Sequence, residues 1–442
     1  MLKKIHKTLE NTWDQLVEGG NQEKKYRKVF RIIFILTLLF LWANAAIRAT
    51  RGHGSQYDDF TEFSNDLIFE QINIYEAYSF EITSIGKYPP FFGMVYAFVN
   101  PLPVPLGAAI WFGLNAFLIF LSSKLLAKAI WRFHNKGHLP EQIHLAYWLA
   151  PLTLISVNAI TNLETSQVNI FIFFLVSSGI YFFSKQKDWL AGLLLGIAIA
   201  IKITPAIFVV YLFYRRAWKV VLGSILGVLI CWGPLLLLAM GWDFYLEIMQ
   251  SWWDILLTYV REGTMAEGMG GFRHTNQSLD AFFFRTFTHT EANGGFDHFY
   301  LNIMNLNYDL AGQIVKGIKL ALLLFMAFLF RKPFQDRFNS RIGLELSVVV
   351  IAMLYISPIS WINHYVAMIL PLAVGVHWLR NKDIDPKQKR QLKRVLLFCG
   401  ITLLLPQRIV QAFSIPFLGA LSLGIFYSKM LLSSAWSEHF KK

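Results

Sequence analysis

The chain has 442 residues, of which 55% are hydrophobic and only 16% charged, and it carries a formal net charge of +13. A water-soluble domain covers itself with about a quarter charged residues, so this composition, at a mean hydropathy of +0.44, excludes an ordinary soluble enzyme. The positive excess falls in short segments between apolar runs, the distribution of a polytopic membrane protein with basic cytoplasmic loops, and excludes a nucleic-acid binder.

Residues 1–28 read as a cytoplasmic segment in which Leu2, Ile5, Leu9, Trp13 and Leu16 recur at helical spacing among lysines, the pattern of a helix lying on a membrane surface. Lys24, Lys25, Arg27, Lys28 and Arg31 precede the first apolar run, Val29 to Ala46, and orient the N-terminus inward. Ala43-Asn44-Ala45 mimics a cleavage site, but the stretch before the run is long for a signal peptide, so the run is read as a retained span. An outer segment over about 48–88 follows, then a span over about 105–128 that returns to Lys124, Lys128, Arg132 and Lys136. The next spans are expected at about 143–160 and from the turn at 162–167 to Lys185.

Residues 189–214 have basic flanks on both sides, Lys185 and Lys187 before and Arg215, Arg216 and Lys219 after. One straight crossing would leave a basic flank outside. Pro205 breaks helix at and before itself, so the segment is expected to be two short helices with Lys202 near the outer turn. Spans at about 217–240, 310–330, up to Ser357, up to Arg380, 395–410 and 413–432 complete about twelve crossings, separated by a long outer segment over about 242–309. The expected fold is all-α and polytopic: one transmembrane domain over 29–432, outer loops at about 48–88 and 242–309, and a cytoplasmic tail over 433–442. Each outer loop holds an amphipathic stretch suited to the headgroup layer: Phe60, Phe63, Leu67 and Ile68 on one face of the first, and Phe244, Ile248, Trp252, Ile255 and Tyr259 on one face of the second.

Polar residues near the outer side are the candidates for chemistry. Asp58 and Asp59 fit two readings: Asp59 as the N-cap of a capping box closed by Glu62, or a carboxylate serving as general base for a hydroxyl. Tyr88-Pro89-Pro90-Phe91 reads as a rigid turn shaping a cavity wall. Asn162, Glu164, Gln167 and Asn169 form a polar cluster, which is either loop polarity or a set of hydrogen-bonding groups for a sugar. Lys202 within a span costs roughly 2.5–3.5 kcal/mol on insertion scales, so it either snorkels or faces an anionic partner such as a lipid phosphate. Gly263, Gly268, Gly270 and Gly271 suggest a mobile loop and lack the Gly-Lys-Ser/Thr ending of a phosphate-binding loop. His364 is either a packed histidine or a donor to a phosphate. Cys231 and Cys399 lie in apolar runs, and neither zinc spacing nor a readable Ser-His-Asp order is present.

Six of these pieces, in order, resemble glycosyltransferase family 87, polytopic GT-C-fold enzymes that use polyprenyl-phosphate sugars: Asp59-Phe60, Tyr88-Pro89-Pro90-Phe91, Gln167-Val168-Asn169, Lys202-Ile203-Thr204-Pro205, Asn276-Gln277-Ser278-Leu279, and Ser357-Pro358-x-Ser360-Trp361-x-x-His364. The sequence departs from the family at Ser166, where glycine is expected, and at Asn363, where the first histidine of a pair often stands. The resemblance implies a GT-C-like bundle in the plasma membrane with both termini cytoplasmic, and a hexosyltransferase, mannose being the sugar of the best-known members. Its donor would be a polyprenyl-phosphate sugar and its acceptor a lipid or glycan at the outer face. It carries the catalytic base onto Asp59, with Asp58 as rival, the donor phosphate onto Lys202, His364 and Arg273, and sugar or acceptor contacts onto Gln167, Asn169, Asn276, Gln277 and Asn363. Membrane lipids are the other expected partners, no nucleic acid is expected, and the lipid-linked sugar is a substrate rather than a resident cofactor. A transporter or flippase would also use a lysine in a cavity; inverted repeats would favour it, and none is visible in the sequence.

Overall fold

The structure is a computed structural model that describes Leu36 and residues 39–51, 56–77, 88–262, 271–292, 299–331, 337–381, 384–405 and 407–433. The amphipathic stretch within 2–17, the start of the first span, Gly263, Gly268, Gly270 and the C-terminal tail from 434 lie outside the described residues. The regular structure is helical, and the extended pairings are two isolated bridges, Asn276 with Trp361 and Glu291 with Tyr300, among the described residues.

In chain order the helices are α1 (39–51), α2 (Tyr57–Ser64), α3 (Ile74–Ala77), α4 (Phe91–Tyr96), α5 (Val104–His134), α6 (Ala146–Leu154), α7 (Ser156–Glu164), α8 (Asn169–Ser184), α9 (Asp188–Ile201) and α10 (Ala206–Tyr214). There follow α11 (Trp218–Met240), bent at Gly233-Pro234, and α12 (Trp242–Glu262). The remainder are α13 (Leu279–Phe287), α14 (Tyr308–Leu329), α15 (Arg341–Ile356), α16 (Ile362–Arg380), which opens as a 3-10 helix, α17 (Pro386–Leu404), α18 (Arg408–Ala412) and α19 (Ile415–Leu432). Among the described residues, five helices are long and apolar enough to cross a membrane: α5, α11, α14, α16 and α19. Burial ranks them: 89% of the most apolar stretch of α16 is buried against 17% for α14, so α16 is the central helix and α14 faces lipid with Leu320, Leu324 and Phe328.

The expected span at 143–160 is two helices. Pro151 sits inside α6, and the chain breaks at Ile155 before α7 buries Asn158 and Asn162. The double break around Lys202 matches the expectation of two short helices. At 1.5 Å per residue α9 is about 21 Å long, short of the ~30 Å hydrocarbon core. Gly192 of α9 packs on Val220 and Gly223 of α11, and Gly196 packs on Ser224 and Gly227. The two numbers rise together, so α9 and α11 run parallel and α10 must carry the chain back between them. The seam is two small-x-x-x-small motifs facing each other, Gly192 with Gly196 and Gly223 with Gly227, which lets backbones touch where lipid offers no hydrophobic drive for association. A Cβ at Gly227 would lie 2.7 Å from the Leu193 carbonyl oxygen, and one at Gly223 2.8 Å from that of Trp189.

This seam fixes the end of α9 that bears Lys202. Gly196→Leu should therefore cost about 1–3 kcal/mol by overpacking and lower the thermal unfolding temperature in detergent. Gly113→Ala, whose Cβ meets nothing within 4 Å, should not. Equal unfolding temperatures for the two variants would show that the seam does not hold α9.

Candidate active site

Because Pro205 stops helix from running on, Lys202 leaves α9 in an extended conformation (φ −154°, ψ 126°) and α10 begins at Ala206. The ammonium is thereby aimed away from the helix axis. Lys202 Nζ donates to Asn169 Oδ1 at 3.1 Å, lies 2.9 Å from His364 Nε2 and sits 5.4 Å above the Tyr88 ring. His364 opens α16, and its Nδ1 accepts the backbone N–H of Trp361 at 3.1 Å. A neutral imidazole that accepts at Nδ1 carries its proton on Nε2. Two nitrogen donors therefore converge on one another, an arrangement suited to an anionic oxygen bridging both.

Two cavities meet at this pair, and Lys202, Thr204, Met353, Ser357 and His364 line both. One runs among Ile172, Phe173, Val176, Phe208 and Val350, with Asn169 and Ser360 among its polar lining. The other lies between Tyr88, Ile203, Ile207, Ile356, Ile359 and Leu256 of α12. The walls are mostly apolar and the polar groups few and convergent, as in sites for amphiphilic ligands.

From Lys202 a polar chain runs outward through Asn169. Asn169 Nδ2 donates to Asn162 Oδ1 and to Gln167 Oε1, each at 3.2 Å, and Gln167 Nε2 donates to Gln56 Oε1. Asn162 and Asn158 of α7 donate to the backbone oxygens of Asn363 and Ile362, at 2.5 and 2.8 Å, and so hold the 3-10 turn that carries His364. Ser166, where the family resemblance leads one to expect glycine, has φ +54°, the left-handed region that costs least in glycine. Its carbonyl accepts from Tyr96 Oη at 2.8 Å and Trp111 Nε1 at 3.0 Å, which holds the turn that aims Gln167. Glu164 is turned the other way, to Asn44 and Arg48 of α1.

The capping-box reading of Asp59 is corrected. The N-cap of α2 is Gln56, and Asp58 and Asp59 occupy the first helical turn. Charges there interact favourably with the helix dipole without closing a box. Tyr57, Phe60 and Phe63 are buried beneath them, and the Phe60 ring lies edge-on to Tyr88 at 6.0 Å, so that two aromatic rings, Phe60 and Tyr88, stand between the acidic turn and Lys202; Asp59 itself is exposed, and neither aspartate lines either cavity. Partial desolvation raises the Asp58 carboxyl from its ordinary value, and partial desolvation together with the Asp58 charge raises that of Asp59.

Asn276 and Gln277 are fully buried, and their amides bind backbone. Asn276 Nδ2 donates to the Gly271 and Pro358 carbonyls, and its Oδ1 accepts the Ser278 and Ser360 amides. Gln277 Nε2 donates to the His274 and Gln411 carbonyls. The Asn276 amide thereby holds the 271–278 loop on the 357–365 loop, that of Gln277 ties it to Gln411 while its Oε1 takes no hydrogen bond, and neither residue lines a cavity. Arg273 is exposed and Asn363 buried, and neither lines a cavity. Sequence reasoning missed Arg285, 1% exposed. It donates to the carbonyls of Phe272, Arg273 and Asn276 at 2.7–2.9 Å and to Ser414 Oγ at 2.6 Å. It also missed Gln56, which no motif marks.

The family model of glycosyltransferase family 87 matches residues 87–358, more than half of the chain. That stretch contains Gln167, Asn169 and Lys202 and stops short of Asp58, Asp59 and His364. A polyprenol-phosphate-mannose-dependent alpha-(1-2)-phosphatidylinositol pentamannoside mannosyltransferase of Mycobacterium tuberculosis is 27% identical over 311 residues, covering 70% of this chain and 61% of that protein. A polyprenol-phosphate-mannose-dependent alpha-(1-2)-phosphatidylinositol mannoside mannosyltransferase of Mycolicibacterium smegmatis is 24% identical over 294 residues, covering 65% of this chain and 60% of that protein. The chain thus spans about three-fifths of the length of these curated relatives. No solved structure matches it.

Removing the Arg285 head leaves several buried carbonyls without a donor, at ~1–3 kcal/mol each. Arg285→Met should accordingly lower the unfolding temperature sharply, and exposed Arg273→Gln should change stability by no more than ~0.5 kcal/mol. Comparable unfolding curves for both would show that the loop is held by other contacts.

Proposed function

The chain belongs to glycosyltransferase family 87, and on that premise we propose that it transfers a hexose, mannose by analogy with the named relatives, from a polyprenyl-phosphate sugar to a lipid or glycan acceptor. The observation that carries the reading is the convergence of Lys202 Nζ and His364 Nε2 where two apolar cavities meet. A polyprenyl phosphate has the matching shape: an anionic head for the two nitrogens and a hydrocarbon tail for the apolar walls. The full bundle is read as about twelve crossings in the plasma membrane, with the site at the outer mouth, because the basic flanks alternate that way along the chain.

The reaction is a displacement at the anomeric carbon. A carboxylate of the α2 first turn, Asp59 or its neighbour Asp58, takes the proton of the acceptor hydroxyl. The acceptor oxygen forms the new bond to the anomeric carbon as the bond to phosphate oxygen breaks, with inversion. Polyprenyl phosphate leaves with the electron pair, and Lys202 and His364 hold its charge in a site poor in water, where such donors act most strongly. A raised carboxylate pKa strengthens the base once it is ionised. Asn169 lines the cavity beside Lys202 and is the group placed to meet the donor's sugar-phosphate end. Asn276, Gln277 and Arg273 have no contact role in this scheme.

Asp59→Asn should lower transfer from mannosyl polyprenyl phosphate by at least ~10²-fold while donor binding persists. Asn in the first turn keeps the helix, so the loss would be chemical. If Asp58→Asn loses activity instead, the base moves by one residue, and full activity in both variants would favour the transport reading. Lys202→Met should abolish binding of undecaprenyl phosphate; unchanged binding would return Lys202 to a snorkelling role.

The pH profile gives a separate check. The base works only when ionised, so activity must fall as pH drops through its pKa. With that pKa raised by partial desolvation and, for Asp59, by the Asp58 charge, the acid limb of kcat should lie above the ordinary carboxylate value of about 4. A limb at or below that value would exclude this pair as the base.

A further inference from the structure

The polar chain from Lys202 does not end at the cavity. It continues through Asn169 and Gln167 to Gln56. Gln56 is the N-cap of α2, and its carbonyl accepts the first helical amide, Phe60 N, at 3.1 Å. Its own backbone N–H donates to Thr165 O at 3.3 Å. The residue that starts the acidic helix is therefore attached, by side chain and by main chain, to the turn before α8, and that turn is attached to the cation. Gln167 and Asn169 are 4% and 7% exposed, so water competes little for these bonds. In a network this buried each member fixes the next, because breaking one bond strands a polar group.

We infer that Gln56 and Gln167 are positioning residues that set the acidic first turn of α2 relative to the Lys202 ammonium. The inference rests on the transferase reading for its meaning, since it is the spacing between base and phosphate-binding cation that the chain sets. It also assigns Gln167 a role other than contact with a sugar. The direction of coupling follows from the chemistry at Lys202. The bond from the Lys202 ammonium to Asn169 is charged on the donor side alone, whereas a phosphate oxygen brings the opposite full charge to the same donor. Binding of a lipid phosphate thus acts on the first member of the chain, and ordering should propagate to α2.

The test uses the full-length protein in lipid nanodiscs, with undecaprenyl phosphate as probe and hydrogen–deuterium exchange as readout. In the parent, the lipid phosphate should slow exchange at 202–206 and also at 57–64. In Gln167→Met and in Gln56→Met, slowing at 202–206 should remain and slowing at 57–64 should vanish. In transfer assays the same variants should lose at least tenfold in kcat with donor KM within twofold, and the double variant should be no worse than either single one, as for members of one network. Parent slowing confined to 202–206, or variants that keep the slowing at 57–64, would overturn the inference. So would multiplicative losses in the double variant. A parent that transfers no sugar would overturn the transferase reading instead, and the exchange measurement would still decide the coupling. Should a methionine variant fail to fold, Gln56→Ala, which removes the side-chain partner of Gln167 and keeps the main-chain bond to Thr165, breaks only the outer bond and is read in the same way.

Discussion

The structure depends on one energetic problem, a lysine ammonium placed among apolar helices. Such a charge is tolerated only where partners or a cavity replace its water, and the surrounding architecture supplies both. A proline ends the helix so that the side chain leaves it. Parallel α9 and α11 meet through glycines, so the broken segment is braced by backbone contact. Asn169, His364 and the Tyr88 ring then surround the ammonium. Each partner arrives from a different part of the chain, so folding around Lys202 is also what assembles the site.

Much of this was legible in the sequence because it is written in strong local signals. Basic flanks on both sides of 189–214 cannot belong to one straight crossing, and Thr204-Pro205 located the break. The apolar faces of α2 and α12 followed from spacing alone: Phe60, Phe63, Ile248 and Trp252 are buried as that spacing requires. Ser166 was marked as a departure from glycine, and the left-handed backbone there supplies the physical reason.

What was not legible is what depends on contacts across long stretches of chain. Asp59 with Glu62 has the letters of a capping box, but tertiary bonds at Gln56 start the helix three residues earlier, so the N-cap moved. Asn276 and Gln277 have the polarity of ligand contacts. Only the tertiary contacts show that the Asn276 amide is used up on backbone and that the Gln277 amide nitrogen is held by the His274 and Gln411 carbonyls. A lone Gln56 and a lone Arg285 carry no local pattern at all. The two facing glycine pairs are present in the letters, but pairing them requires knowing that α9 and α11 are parallel neighbours.

The Arg285 hub has a consequence for how the protein is made. A chain emerging from the ribosome inserts its helices in order, N-terminal parts first. The loop at 271–278 leaves the ribosome early, yet its clamp closes on Ser414 Oγ, and Gln277 closes on the Gln411 carbonyl. Both partners belong to the last described segment, around α18 and the start of α19. Until that segment enters the membrane, the loop that seats the 357–365 turn, and with it His364, lacks its final anchors. Completion of the pocket in this sense waits for the segment that carries Gln411 and Ser414, so a nascent chain would carry Lys202 in the bilayer well before it owned a finished phosphate-binding pair.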